Sequence, residues 1–189
     1  AVVLNRIEDE RDFVTCDNHL GMQRLLEHLA TCREDARPCY IGFTPAVPVT
    51  TYREEGFRSA CVALNRSCQA GSVRRIDTLD EIDEDFVRSI VADGYNAVMC
   101  FNDFVAVYFF QAALAAGVRI PEDLALTGFD NSPVRRLAVK EIDTINLSTP
   151  RLGEEAGRWL RSRIIDRSAE RLSLSVEGEL MKGETVCIR

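Results

Sequence analysis

The sequence predicts an α/β protein in which parallel sheets are covered by helices on both faces, and three observations carry that reading. Strand-length apolar runs alternate with helix-period segments almost throughout the chain, the pattern of βα units. Two of these runs, AVMCF at 97–101 and LALTGF at 124–129, are apolar at nearly every position, as expected for strands buried on both faces. Both runs stop abruptly on polar side chains, Asn102-Asp103 after the first and Asp130-Asn131 after the second. In an open parallel sheet small ligands bind just beyond the carboxyl ends of the strands. A carboxylate and an amide at two such ends can therefore grip one polar, oxygen-rich molecule.

In chain order, strands are expected at 2–5, 13–16, 39–43, 72–76, 97–101, 124–127 and 144–147, with further extended structure in 172–188. Helices are expected at 20–32, 52–67, 84–92, 104–116 and 151–165, the fourth stopping at Gly117. Thr51 with Glu54, and Thr78 with Glu81, have capping-box spacing. The acidic run 80–85 falls near a helix start, where negative charge suits the macrodipole, and reads as a cap or a solvated face. Val107, Tyr108, Phe109 and Phe110 read as core within the fourth helix. The chain shows neither an internal repeat nor a low-complexity linker.

The composition narrows the function classes. A length of 189 residues suits one substantial domain or two small lobes, and 46% hydrophobic with 28% charged residues is ordinary for a globular protein. The net charge of −7 argues against a nucleic-acid surface within this chain, since phosphate binding needs clustered Lys and Arg. No apolar run approaches the length of a membrane span, and the start AVVLNRIEDE lacks a signal-peptide pattern. The seven cysteines form no C-x-x-C pair and read as small core residues in a reducing cytoplasm, without a disulfide framework. No dinucleotide fingerprint, P-loop or nucleophile elbow is present. His19 and His28 have no partner at metal spacing and read as surface or packing residues. The expectation is a binding protein with no enzymatic activity, cofactor or metal.

Several segments in order carry a resemblance. FND…A…AL…AG..IPEDLALTGFDN at 101–131, followed by DTI at 143–145, resembles the effector-binding core of LacI/GalR-type bacterial transcription regulators. VVLNR at 2–6, DN..G…LLEHL at 17–29 and YREEGFRSACVAL at 52–64 match upstream, and LGEEAGRWL and EGELMKGETV match more weakly downstream. The resemblance implies a periplasmic-binding-protein-like type I fold of two lobes, each a parallel sheet flanked by helices. It also implies that the chain lacks the DNA-reading headpiece and the first βαβ units of the amino-terminal lobe. On this basis residues 1–37 and 149–171 are expected to form a partial amino-terminal lobe. Residues 38–148 and 172–189 are expected to form the carboxyl-terminal lobe.

The candidate ligand-binding residues are Asn5, Arg6, Arg53, Asn102 and Asp130. Arg53 follows the expected cap at Thr51 and so falls in a first helical turn, where its charge opposes the dipole by roughly 0.3–1 kcal/mol. A residue placed against local preference often has another task, and the resemblance puts the Arg of R-x-x-G-F in the effector cleft. The competing reading is a surface arginine paired with Glu55 or Asp83. Asp130 offers two acceptor oxygens suited to adjacent hydroxyls, or else caps the turn at 131–133. Asn102 offers a donor and an acceptor while also suiting the cap of the helix that follows, and Asp103 is expected to serve that helix start. Matching family positions to Asn5 and Arg6 face the cleft from the other lobe, although relatives often carry Asp where this chain has Asn5. Leu147 stands where some relatives place a polar ligand contact.

The implied function is the ligand-sensing core of a repressor-type regulator, cytoplasmic and homodimeric, binding a small sugar or related metabolite. It would control operator DNA through a headpiece outside this chain. The alternative is a periplasmic-type sugar-binding protein of a transporter, which shares the bilobed architecture.

Overall fold

The computed structural model describes residues 1–7, 10–44, 47–166 and 171–188. Its strands are β1 (Val2–Leu4), β2 (Asp12–Cys16), β3 (Pro38–Phe43), β4 (Val73–Ile76), β5 (Ala97–Cys100), β6 (Ala125–Thr127), β7 (Thr144–Asn146), β8 (Ser173–Val176) and β9 (Glu179–Met181). Its helices are α1 (Asn18–Cys32), α2 (Pro48–Ala63), α3 (Glu84–Ala92), α4 (Asp103–Ala115) and α5 (Thr149–Ile165). The α/β class and parallel sheets flanked by helices are as expected, and each element overlaps its expected segment.

The strands form two parallel sheets, ordered β1-β2-β8 and β4-β3-β5-β6, and an antiparallel pair, β7-β9. Period-2 alternation divides the four-stranded sheet into two apolar faces. Cys39, Ile41, Val98, Cys100 and Leu126 bury against Val87, Ile90, Val105, Phe109 and neighbours on α3 and α4. Tyr40, Ala97, Met99 and Ala125 bury on the other face against Met22, Leu25, Leu26 and Leu29 of α1 and Phe57, Ala60 and Cys61 of α2. Both faces being dry explains why these strands lack polar alternation. The three-stranded sheet has a smaller core, in which Val14 and Val176 meet Leu152 and Ala156 of α5.

This packing shifts the expected boundaries. Residues 18–32, expected with the amino-terminal lobe, pack as α1 on the four-stranded sheet. Residues 173–176, expected with the carboxyl-terminal lobe, pair in register with β2. Sheet membership follows the apolar face that finds a partner, and adjacency in sequence does not reveal it. Residue 189, at the end of the expected second lobe, lies outside the described residues.

Helix starts show where local signals compete. α2 begins at Pro48, after Val47, which makes no side-chain capping bond. Proline at the first helical position, with its φ pre-set and no N–H to satisfy, outweighs the capping-box spacing of Thr51 and Glu54. Arg53 is therefore in the second turn, and the dipole argument for it does not apply. The Thr78–Glu81 box does form, with the Thr78 backbone N–H donating to the Glu81 carboxylate at 2.7 Å. Asp83 caps α3, accepting from Phe86 N–H at 2.8 Å. In α4 Phe109 and Phe110 are core as expected, while Tyr108 is 40% exposed.

The cysteine expectation needs correction. Cys32 and Cys187 form a disulfide across a separation of 155 residues. Cys16, Cys39, Cys61 and Cys100 are buried free thiols. Burial pushes Cys16 up to about 11 and Cys39 and Cys61 up to about 12, so all three stay protonated and unreactive. Of the two readings of His28, packing holds, since it is 7% exposed with Nε2 at 2.9 Å from Asp143 Oδ1, but its expected lack of partners at metal spacing does not, because Cys32 and Cys187 stand beside it.

Candidate functional site

Three strand ends converge on one guanidinium. Arg53 Nε donates to Asn18 Oδ1 at 3.0 Å, just past β2. Its Nη1 donates to the Phe101 carbonyl at 2.6 Å, at the end of β5. Its Nη2 donates to Asp130 Oδ1 at 2.7 Å, beyond β6. The guanidinium carbon lies 4.1 Å from the centre of the Phe129 ring and 4.7 Å from that of Phe101. A planar, delocalised cation with a fixed fork of donors can satisfy three divergent acceptors and stack on rings at once, which an ammonium cannot. The pairing with Glu55 or Asp83 weighed from the sequence is not formed. Glu55 instead approaches His19 at 4.0 Å, and Asp83 caps α3.

The approach of α2 that delivers Arg53 depends on Gly56, one turn later in R-x-x-G-F. A Cβ there would stand 3.0 Å from the Cα of His19 and 3.2 Å from the Asn18 carbonyl. That contact seats the start of α1, and hence Asn18, against Arg53.

The exposure of the two ionic partners differs. Arg53 is 2% exposed, whereas the Asp130 side chain is 28% exposed. Burial raises the Asp130 pKa, against the lowering pull of Arg53. Among the described residues only Oδ1 of Asp130 is bonded, which leaves Oδ2 open to a donor. In this structure Arg53 lies beneath Asp130 and holds it in place. The backbone supports this, since Asp130 has φ 103° and Asn131 φ 52°. Left-handed conformations in residues with a Cβ cost about 1–3 kcal/mol each and persist where surroundings impose them.

Asn102 is half-buried, and its Oδ1 caps α4, accepting from Val105 N–H at 3.0 Å. Its amide NH₂ can still face outward, so the two roles considered for it are compatible. Asp103 does more than start the helix. It is fully buried, its Oδ1 accepting from the Thr144 hydroxyl and its Oδ2 from Ser132 N–H, each at 2.6 Å. Burial, with a smaller contribution from the Asp130 charge, outweighs these bonds and lifts its pKa to about 7. Gly128 permits this buckle, because a Cβ there would fall 2.2 Å from Asp103 Oδ1 and 3.1 Å from its Cα. Asp103 thus ties the segment carrying Asp130 to α4 and β7.

Asn5 and Arg6 follow β1, at the end of the three-stranded sheet, and the three bonds of Arg53 do not include them. Asn5 has φ 54° and donates its backbone N–H to Val14 at 2.8 Å. Leu147 is 9% exposed. Sequence reasoning missed Asn18 and the Phe129 and Phe101 rings. The sequence does carry a signal for Asn18, since Asp17-Asn18 is a polar pair at a strand end like 102–103 and 130–131.

Beside the cluster, a cavity of about 430 Å³ opens over the ends of β3, β4 and β5, lined by Phe43, Thr44, Thr50, Asp77, Phe101 and others. Phe101 is shared, since its ring meets Arg53 on one side and Phe43 edge-on at 5.6 Å. A volume of this size fits a small ligand.

Comparison with known proteins matches residues 33–186 to the model of the periplasmic binding protein-like domain. The chain belongs to that family. It is 27% identical over 186 residues to the uncharacterized HTH-type transcriptional regulator YvdE of Bacillus subtilis, covering 97% of this chain and 58% of YvdE. It is 35% identical over 94 residues to the HTH-type transcriptional repressor PurR of Mannheimia succiniciproducens, covering 50% of this chain and 28% of that repressor. Among solved structures, the transcriptional regulator CelR in complex with cellobiose superimposes with a TM-score of 0.79 at 26% identity, covering 97% of this chain and 58% of CelR. The chain thus spans little more than half of YvdE and CelR. All three of these relatives are named as transcription regulators. No helix among the described residues of this periplasmic-binding-protein-like chain is long and apolar enough to cross a membrane.

Proposed function

We propose that this chain is the effector-sensing core of a LacI-family transcription regulator, taking a small sugar or related polyol at the Arg53–Asp130 cluster. The observation that carries this reading is the exposed half of Asp130, held rigidly by a buried arginine where strand ends of both parallel sheets meet. An ionised carboxylate with a free oxygen accepts from a hydroxyl, Asn102 adds a second polar group, and the Phe101 and Phe43 rings offer an apolar wall for a sugar face. The cellobiose named for CelR is of the same chemical class.

In this reading β1, β2, β8 and α5 belong to an amino-terminal lobe and the remaining elements to a carboxyl-terminal one. The ligand sits between them, with Asn5 and Arg6 contributing from the first. Ligand binding shifts a lobe equilibrium only by its differential affinity for the two arrangements. That shift would reach operator DNA in the cytoplasm through headpieces of a homodimer.

The test is calorimetry on the complete two-lobed protein against a panel of mono- and disaccharides and nucleobases. A saccharide is expected to bind, and Asp130→Ala to weaken it more than about tenfold, since a hydrogen bond to a charged group contributes roughly 1.5–3 kcal/mol. Binding of nucleobases alone would overturn the sugar assignment. Unchanged saccharide affinity in Asp130→Ala would reduce Asp130 to a turn residue.

A further inference from the structure

At the other end of α1, away from the cluster, three groups that favour soft metal ions stand together. His28 and Cys32 lie one turn apart on α1, and Cys187 joins them from the end of the chain. One ligand atom from each falls within 4.8 Å of the others. His28 Nε2 lies 2.9 Å from Asp143 Oδ1, and its Nδ1 lies 4.0 Å from Cys32 Sγ. A carboxylate only accepts, so Nε2 carries the proton and the Nδ1 lone pair points to the sulfurs. Asp143 is itself fixed, its Oδ2 accepting from Thr185 N–H at 2.9 Å, two residues before Cys187.

We propose that, with the Cys32–Cys187 disulfide reduced, His28, Cys32 and Cys187 bind a zinc-class divalent ion, with Asp143 as the carboxylate that orients the imidazole. A carboxylate–histidine–metal arrangement fixes ring tautomer and direction in this manner. Tetrahedral coordination, with Zn–S near 2.3 Å and Zn–N near 2.0–2.1 Å, requires ligand atoms about 3.5–3.8 Å apart. The two sulfurs, bonded at about 2 Å in a disulfide, must part to about 3.8 Å on reduction, and the imidazole nitrogen must close on them by at most about an ångström. Cys32 and Cys187 are only partly buried, and three protein ligands would leave the fourth tetrahedral position to water.

Disulfide and metal are alternative states of one site. A thiol reductant supplies two electrons and two protons, opening the protein disulfide to two thiols and leaving as its own disulfide. The ion then enters as the two thiols release their protons. In either state the terminal segment, with Thr185 and Val186 buried, is fastened to α1.

The experiment titrates zinc into the whole chain, oxidised and phosphine-reduced, against a chromogenic chelator, with cobalt as a spectroscopic probe. The reduced chain is expected to bind one equivalent and the oxidised chain none. Cobalt should give thiolate charge-transfer absorption. Cys187→Ala, at a partly exposed position near the terminus, should abolish that absorption and lower zinc affinity at least a hundredfold with the circular dichroism melt retained. Asp143→Asn should lower affinity about 10–100-fold while keeping the cobalt spectrum. Equal zinc binding by the oxidised and reduced chains, or by reduced wild type and Cys187→Ala, overturns the assignment, including binding through another cysteine such as Cys68.

Discussion

Replacing Arg53 by lysine tests whether the guanidinium organises the site. The substitution keeps the charge and most of the volume, but an ammonium is a point donor that can reach one of the three divergent acceptors at full strength. Suppose it keeps Asp130. The Phe101 carbonyl and Asn18 Oδ1, now 2.6 and 3.0 Å from their donors, are then left without partners in a site where Arg53 is 2% exposed. Each unsatisfied buried acceptor costs about 1–3 kcal/mol, and the flat stacking on Phe129 and Phe101 is lost as well. A destabilisation of about 3 kcal/mol is expected. For a chain of this size that corresponds to a Tm lower by roughly 6–12 °C. Urea unfolding followed by far-ultraviolet circular dichroism reads it directly. Arg88→Lys, on an exposed pair with Glu84 and Asp85, serves as the control and should change nothing measurable. A loss below about 1 kcal/mol for Arg53→Lys would show that the three-way bonding is incidental and remove the physical basis for the site.

The backbone at Asp130, φ 103°, predicts that Asp130→Gly is more stable than Asp130→Ala by about 1 kcal/mol, because both lose the ion pair and only glycine relieves the strain. Equal melting temperatures would argue against strain at this position. Gly128→Ala should destabilise by about 2 kcal/mol or more, since its Cβ would press on both the carboxylate and backbone of Asp103. A melting temperature within error of wild type would show that the segment can yield. Asp103 predicts a pH effect whose sign is fixed by its upward shift from 3.8 to about 7. Between those values the folded state keeps a proton that the unfolded chain releases, so this group's contribution to stability falls as pH rises from 4 to 7 and is level above that. The stability of wild type relative to Asp103→Asn should therefore decline across that interval. A difference that stays flat or grows with pH would mean that Asp103 is folded as a carboxylate throughout.

The parts of this fold legible in the sequence are those where one local rule acts alone. β3 and β5 were readable because burial on both faces makes Tyr40 as apolar an environment as Ile41, and Met99 as Cys100. Asp130 and Arg53 were singled out by a strand-end rule and a resemblance, and their side chains meet at 2.7 Å. Their division of labour was not legible, because it depends on depth. Nothing in YREEGF says that its arginine ends at 2% exposure while its partner keeps an open oxygen. The start of α2 departs from its expected position because two signals compete and proline, whose constraint is covalent, outweighs a hydrogen-bond preference. The place of α1 and the meeting of Cys32 with Cys187 lie beyond any local rule. In both, the partner surface is supplied by residues far along the chain, 155 positions away for the cysteines. Asn18 is the instructive case between these extremes. Its polar pair with Asp17 at the end of β2 obeys the same rule that exposed 102–103 and 130–131, yet only α1 packing on the other sheet, with Gly56 allowing the approach, turns that pair toward Arg53. A strand-end rule can nominate polar groups. Which of them converge is decided by helix packing, so the glycines that set helix separation are as much part of the site as the groups that would touch a ligand.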